Sequence, residues 1–189
     1  MRRSTEIIEI MGDVVRATAK GCNIMVTHHD GSCDKIECPE INYIFGNAQY
    51  VKDKLDAMSK ADATSEMKFP LIALFCPFKE QRDTPGYFSK ATVQILIACP
   101  SSKEWSNEER LVLSFQNILR PIYKRLKEEL LADGRIDFGY KDLIPHDYSE
   151  NYSYGRYGAH TGTGDALSEP IDAINISNLE LKIKNPSCR

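Results

Sequence analysis

The first segment of the chain interleaves apolar and charged residues with a helical period. Apolar side chains recur every three or four positions as far as Gly21, which can end a helix, and acidic and basic residues lie between them. This spacing predicts an amphipathic helix with one buried face. The apolar positions are Ile7, Ile8, Ile10, Met11, Val14 and Val15.

Short strands and a second helix are expected next. Apolar residues cluster at 23–27 and again at 41–45, and each cluster has the length of a short strand. Asn47 then stands where the N-cap of a helix is expected, because its side chain can accept a hydrogen bond from a backbone amide of the first turn. The predicted apolar face of this helix contains Tyr50, Val51, Leu55 and Met58.

The centre of the chain holds two strongly apolar runs. Residues 69–76 and 91–99 are apolar at nearly every position, and a charged loop with a Pro85-Gly86 turn connects them. Two such runs predict a long β-hairpin. Because neither run alternates with polar residues, both faces of its sheet should be covered, one of them by helices.

The longest helix should begin at Ser106, where Ser106 and Glu109 have the spacing of a capping box. Asp133-Gly134 should end this helix, and Pro121 inside it predicts a kink, because proline removes one backbone hydrogen bond. Its apolar stripe contains Leu111, Val112, Phe115, Ile118, Leu119, Ile122, Tyr123, Leu126 and Leu130.

The last quarter of the chain changes in character. Residues 139–170 hold five of the nine tyrosines and five of the eleven glycines, and their few aliphatic residues show no regular period. We therefore predict a long loop, of a length that is usually functional or disordered. Two alternating runs follow at 174–176 and 179–183, and their phases differ by one residue, which predicts a bulge or tight turn at Ser177-Asn178.

These elements predict a single α+β domain over residues 1–189. It should contain a mixed, mainly antiparallel sheet in which a long β-hairpin packs against two or three helices, with a Tyr/Gly-rich loop insertion at about 139–170.

Composition narrows the functional classes. The 189 residues are 42% hydrophobic, and the formal net charge is −3, so the balance gives no support for general binding to nucleic acid or to anionic membranes. No apolar run approaches the roughly 20 residues that a membrane span requires, and the start of the chain has no signal-peptide core. We expect a protein made in a cytoplasm, with reduced and metal-free cysteines.

Two arrangements could carry chemistry. His28 or His29 with Cys33 and Cys38 could bind zinc, although a fourth ligand is missing and the spacing matches no usual knuckle. His146 and Asp147 could form an acid–base pair, although a histidine in a polar loop is more often a surface hydrogen-bonding residue. Residues 161–165 are glycine-rich but lack the lysine of a phosphate-binding loop. We expect no catalytic site, no cofactor and no enzymatic activity.

Four segments resemble small neck and tail proteins of tailed bacteriophages. They are 69–74, 93–97, 109–123 and 171–181, and the order of elements agrees as well. The chain is most similar to the tail terminator family, in the version found in phages of Bacteroides-type hosts. It departs from the smaller terminators by its Tyr-rich insertion and its extended N-terminal half.

The resemblance implies a structural virion protein of the tail or neck. Terminators form a ring, usually a homohexamer, that caps the tail tube and joins it to the head connector. The implied partners are other copies of the chain, the tail tube protein and a head-completion or connector protein. Genomic DNA would pass through the ring without sequence-specific binding, and no membrane is involved. The alternative that the resemblance leaves open is a head-closure or neck adaptor protein.

The candidate interface lies on two segments of unlike composition, the hairpin tip at 79–88 and the Tyr-rich loop at 141–165. Tyrosine supplies a large contact area at small entropic cost and is enriched at interface hot spots. The candidate residues are Arg82, Tyr87, Phe88, Tyr148, Tyr152, Tyr154 and Tyr157. Two other classes stay open: a small cytoplasmic metal-dependent enzyme that uses the residues above, and a monomeric regulatory or adaptor module.

Overall fold

The computed structural model describes residues 6–27, 31–60, 68–82, 88–139, 143–156 and 170–184. Its helices are α1 (Ile7–Gly21), α2 (Ala48–Lys60) and the long helix α3, which runs without a break through the segments Asn107–Arg110, Leu111–Leu119 and Arg120–Ala132. Its strands are β1 (Asn23–Thr27), β2 (Cys33–Glu37), β3 (Asn42–Gly46), β4 (Leu71–Phe75), β5 (Lys79–Arg82), β6 (Phe88–Pro100), β7 (Asp147–Arg156) and β8 (Pro170–Lys184).

A six-stranded mixed sheet forms the centre of the protein. Its order is β3-β4-β6-β8-β7, and β5 pairs with β6 outside this path. β3 and β4 run parallel, whereas every other pair is antiparallel. The α+β class with a mainly antiparallel sheet packed against helices is therefore confirmed, and β4 and β6 are antiparallel neighbours as the two apolar runs predict.

Both faces of this sheet are covered, because its central strands have apolar side chains on both sides. α1 and α3 pack on one face over a core that includes Ile72, Ile95, Phe115 and Leu119. α2 packs on the other face through Val51 and Leu55, over residues drawn from β3, β4, β6 and β8. Burial of apolar surface on this scale is the main stabilising contribution in a domain of this size.

The phase change near the end of the chain is a β-bulge within one long strand. The pairing of β6 with β8 passes from Val93↔Leu179 to Ile95↔Ile176, so β8 contains one additional residue at this point. Asn178 adopts φ 53°, a left-handed conformation that asparagine tolerates better than most residues. The bulge predicted at Ser177-Asn178 is confirmed.

α3 begins at the predicted capping box and changes its pitch inside. Ser106 accepts a hydrogen bond from the Glu109 amide at 3.2 Å, and the Glu109 carboxylate accepts one from the Ser106 amide at 2.7 Å. The segment Leu111–Leu119 is π-helical, and the Arg120 amide donates to the Phe115 carbonyl, five residues earlier. Pro121 thus follows a wide turn, which is one of the usual places for a helix to bend.

The structure corrects the predicted secondary structure at three strands. β7 occupies Asp147–Arg156, within the predicted long loop, and β5 occupies Lys79–Arg82, within the predicted charged loop. β2 was not predicted; it is exposed at all five positions and pairs with β1 as a two-stranded arm. All three strands lack the aliphatic alternation by which strands are usually recognised.

Two side chains also depart from the predicted apolar faces. Tyr50 is 52% exposed on α2, and Val112 is 45% exposed on α3, so neither belongs to the core. The buried residues of α3 are Arg110, Ser114, Phe115, Leu119, Ile122, Leu126 and Leu130. No helix in the described part of the chain has both the length and the apolar character needed to cross a bilayer.

Candidate assembly surface

β7 lies at one edge of the sheet, and alternate side chains on it contact α3. Tyr152 packs against Phe115 with ring centroids 4.3 Å apart, and Tyr148 packs against Tyr123 at 4.8 Å. Between them, Glu150 pairs with Arg120. Residues two apart on a strand point to the same face, so this row follows directly from the strand conformation.

The Arg120–Glu150 pair is held by two hydrogen bonds. Arg120 Nε donates to Glu150 Oε1 at 2.7 Å, and Nη2 donates to Oε2 at 3.0 Å. The hydrogen bond from Arg120 holds the pKa of Glu150 below its ordinary value. The Tyr148 hydroxyl also donates to Glu150, and burial raises the pKa of Tyr148. The cluster therefore contains a fixed anion, a fixed cation and a neutral phenol.

His146 is fixed by two hydrogen bonds at the start of β7. Its Nδ1 lies 2.6 Å from the Ile144 carbonyl, which can only accept, so Nδ1 carries a proton. Its Nε2 lies 2.8 Å from the Tyr123 hydroxyl. Asp147 instead accepts a hydrogen bond from Asn178. The two side chains hydrogen-bond to different groups, so the geometry does not support the acid–base pair that the sequence left as the less favoured reading of His146 and Asp147.

We call the side chains of His146, Tyr148, Glu150, Tyr123 and Arg120 the β7 surface. Tyr148 is 41% exposed, so a partner can reach its ring. Aromatic and arginine side chains that are held in place by their neighbours have the composition typical of interface hot spots. A surface already ordered within the subunit also loses little side-chain entropy when a partner binds.

The other candidate interface residues have different positions. Tyr152 is packed against Phe115 inside the subunit, so we leave it out of the β7 surface. Arg82 lies on β5, where it pairs with Glu6 at 2.8 Å and Glu80 at 3.0 Å. Phe88 and Tyr154 lie within β6 and β7, but their side chains are outside the described residues, as are Tyr87 and Tyr157 altogether.

β5 and β7 lie on opposite edges of the sheet. Along Ser89–Thr92, β6 pairs with β5 on one side and with β8 on the other, and β7 pairs with the outer side of β8 further along the sheet, at residues 170–177. We call Lys79, Glu80 and Arg82 on β5 the β5 surface. Within the described residues, β5 pairs only with β6 and β7 only with β8. Each strand therefore presents an outer edge, at which backbone groups can pair with another chain.

The zinc site that the sequence left conceivable, although we expected metal-free cysteines, is not supported by the geometry. Cys33 begins β2, and Cys38 follows its end, so five residue steps of roughly 3.3 Å each separate the backbones of the two cysteines. Two thiolates bound at about 2.3 Å from one zinc ion must lie much closer together than that. His28 and His29 are outside the described residues, and the part of the chain that is described contains no cluster suited to a metal ion.

A buried ionic network near the start of α3 was not predicted. Asp172 on β8 has no exposed surface, and it accepts hydrogen bonds from Ser101 and Ser114, both at 2.7 Å. Arg110 donates to the same carboxylate at 3.3 Å, and also to the carbonyl of Ser102 at 2.6 Å. This network joins α3 to the sheet. Because Asp172 is fully buried, a substrate in solution cannot reach its carboxylate.

An open cleft of about 910 Å³ separates α1 from the end of α3. Arg135 crosses it, donating to Asp13 at 2.8 Å and to Asp133 at 2.6 Å, and the hydrogen bond from Arg135 lowers the pKa of Asp13. Tyr43 also lines the cleft, and burial raises its pKa. No histidine, cysteine or serine is found among the described residues that line it. The carboxylates of Asp13 and Asp133 in this cleft are both paired with Arg135, so neither is poised as a free general base.

Comparison with known proteins adds no assignment. No family model matches the chain, and the search of curated proteins gives no match.

The sequence did carry a signal for the β7 surface. Tyr148, Glu150, Tyr152 and Tyr154 occupy every second position, which is the period of a strand. A search for aliphatic alternation overlooks this pattern because the alternating residues are aromatic and acidic. The partners on α3 could not be recognised in this way, since Arg120 and Tyr123 are distant in sequence from β7.

Proposed function

We propose that the protein is a structural subunit that assembles head to tail into a ring, and that it serves as a tail terminator or neck protein of a tailed phage. The observation that carries the first part is the placement of two unlike surfaces on opposite edges of one sheet. A ring requires such heterologous contacts, in which one patch meets a different patch on the next copy. The assignment to the tail or neck of a phage rests on the resemblance of the sequence pattern and of the element order to tail and neck proteins.

The charges of the two surfaces are compatible with this contact. β5 carries Lys79 and Arg82 with one acidic residue, Glu80. β7 carries the carboxylates of Asp147 and Glu150 beside the Tyr148 ring, but Glu150 is already paired with Arg120, as Arg82 is with Glu6 and Glu80. Lys79 on β5 and Asp147 on β7 are therefore the opposite charges that can steer association and select the register, while the packed aromatic side chains supply most of the affinity.

The test compares the molar mass of three variants by light scattering. Tyr148→Asp alters the β7 surface, and Arg82→Asp alters the β5 surface. Tyr50→Asp is the control, because Tyr50 is equally an exposed tyrosine but lies on α2. We expect wild type and Tyr50→Asp to form a closed oligomer, and each of the other two variants to remain monomeric.

Mixing the two defective variants distinguishes a ring from a symmetric dimer. In a head-to-tail assembly each variant keeps one intact surface, so an equimolar mixture should form dimers and no rings. If Arg82→Asp alone still dimerises, the contact is isologous and the ring is wrong. If the wild type is monomeric throughout an accessible concentration range, the protein is an adaptor module instead.

A separate assay is needed to decide whether the protein lies at the end of the tail tube or at the head connector. A terminator should bind the ends of purified tail tubes and stop their growth, whereas a head-closure protein should bind the portal or connector and leave the tubes unaffected. Stoichiometric zinc in the purified protein would favour the alternative of a metal-dependent enzyme.

A further inference from the structure

Two cysteines face each other at the open end of the β1–β2 arm. The antiparallel register pairs Asn23 with Glu37, and its continuation by one residue pairs Cys22 with Cys38. The Cys38 amide donates to the Cys22 carbonyl at 2.9 Å, which is one of the two hydrogen bonds of a hydrogen-bonded pair at the end of the ladder. At such positions the Cα atoms are about 5.5 Å apart, within the range of about 4.4–6.8 Å that a disulfide spans. Both are free thiols in the structure.

The backbone of Cys38 brings its thiol towards the end of α1. Cys38 has φ 53°, a conformation that L-residues other than asparagine and aspartate rarely adopt. Its Sγ lies 3.0 Å from the carbonyl oxygen of Lys20, two residues before Cys22. A left-handed cysteine that contacts the last turn of a helix is a local conformation of the kind that often accompanies a function.

The surroundings of the two thiols differ. Cys22 is buried beside the Arg125 guanidinium, which lies directly over Gly21, where a Cβ atom would come within 2.4 Å of Arg125 Nε. Burial raises the pKa of Cys22, and the positive charge of Arg125 opposes that rise. Cys38 is exposed and can meet a reagent in solution.

We propose that Cys22 and Cys38 form a dithiol site that closes to a disulfide when the protein meets a low-molecular-weight disulfide such as oxidised glutathione. The Cys38 thiolate attacks the glutathione disulfide, which gives a mixed disulfide on Cys38 and releases one glutathione thiol. Cys22, as the thiolate, then attacks Sγ of Cys38 and releases the second glutathione. Two protein thiols are oxidised, one glutathione disulfide is reduced, and the two protons end on the released thiols.

The closed disulfide fastens the exposed strand β2 to the C-terminal end of α1. It restricts the unfolded chain over the segment between the two cysteines, and a loop of this length corresponds to a rise in the thermal midpoint of roughly 6–12 °C. This site is independent of the proposed ring, since it uses neither the β5 surface nor the β7 surface.

The test treats the full chain with oxidised glutathione and maps the products by mass spectrometry. Trypsin leaves Cys22 and Cys33 on one peptide, because no lysine or arginine lies between Lys20 and Lys35. Cleavage before aspartate is therefore used, since Asp30 and Asp34 separate Cys22, Cys33 and Cys38 onto three peptides. We expect a peptide pair joined through Cys22 and Cys38, with a mass loss of about 2 Da and a raised thermal midpoint that dithiothreitol reverses.

Cys33→Ser is the matched control, because Cys33 is an exposed cysteine on the same strand, opposite Thr27. It should keep both the link and the shift in midpoint, whereas Cys38→Ser should lose both. The proposal is overturned if Cys38 pairs with Cys33, if Cys38 keeps glutathione without reaction of Cys22, or if closing the disulfide lowers the midpoint.

Discussion

Removing the charge of Asp172 tests whether the buried network fixes α3 to the sheet. In Asp172→Asn, the amide keeps the shape but can present an acceptor to only one side. If its oxygen stays near Ser101 and Ser114, its NH₂ group faces the Arg110 guanidinium, donor against donor. If it turns round, the serine hydroxyls lose their acceptor. In both orientations Arg110, of which 6% of the side chain is exposed, loses its carboxylate partner.

Leaving one member of a buried ion pair without its partner usually costs about 3–5 kcal/mol. Arg110 keeps its hydrogen bonds to the carbonyls of Ser102 and Trp105, so we expect the lower end of this range, about 3 kcal/mol. For a chain of this length, that corresponds to a fall of roughly 6–12 °C in the thermal midpoint.

The assay is urea unfolding followed by circular dichroism, and the control is Glu180→Gln on the same strand. Glu180 pairs with Lys90 at the surface, with 55% of its side chain exposed, so its loss should change stability by less than about 1 kcal/mol. The double variant Arg110→Met with Asp172→Asn should be less destabilised than the sum of its two single changes. A loss below about 1 kcal/mol for Asp172→Asn would refute the reasoning.

Three further predictions concern the core, the β7 surface and the bulge. Phe115→Ala should cost about 3–5 kcal/mol in urea unfolding, because Phe115 is fully buried, whereas Val112→Ala on the exposed side of the same helix should stay within about 0.5 kcal/mol. Because Arg120 lowers the folded-state pKa of Glu150, the stabilisation from this carboxylate is present above its unfolded pKa of about 4.3 and is lost as pH falls through the folded value. Glu150→Gln should therefore flatten the loss of stability on acidification below about pH 4.3, and an equally steep loss would contradict the pair. Asn178→Val should lose about 1–2 kcal/mol because φ is 53° there, and Asn178→Gly should be nearly neutral in the same denaturation measurement.

The parts of the fold with a strong local sequence signal could be predicted from the sequence. α1, the apolar strands β4 and β6, the capping box of α3 and the bulge in β8 all follow from spacing and local chemistry. These features depend on residues that are close together in the chain. The order of the strands in the sheet depends on contacts between distant segments, and the sequence pattern does not determine it.

The failures have particular physical causes. β2 has the sequence Cys-Asp-Lys-Ile-Glu and is exposed throughout, so burial imposes no alternation on it. β7 is held against α3 by aromatic and ionic contacts, and a search for apolar periodicity does not detect such contacts. Arg110 is charged in the sequence but buried in the structure, because Asp172 reaches it from β8, 62 residues later.

The change of pitch in α3 sets the rotational phase between its two ends. In the wide segment, Ser114 and Phe115 are both buried; Ser114 donates to Asp172, while Phe115 enters the apolar core. A residue of this wide π-helical segment turns the helix by less than the roughly 100° of a uniform α-helix, and removing one residue between Leu111 and Leu119 would still rotate Arg110 relative to Leu126. Arg110, which pairs with Asp172, and the buried apolar residues around Leu126 could then no longer face the sheet together. The helix therefore tolerates substitution on its exposed side much better than any change of length.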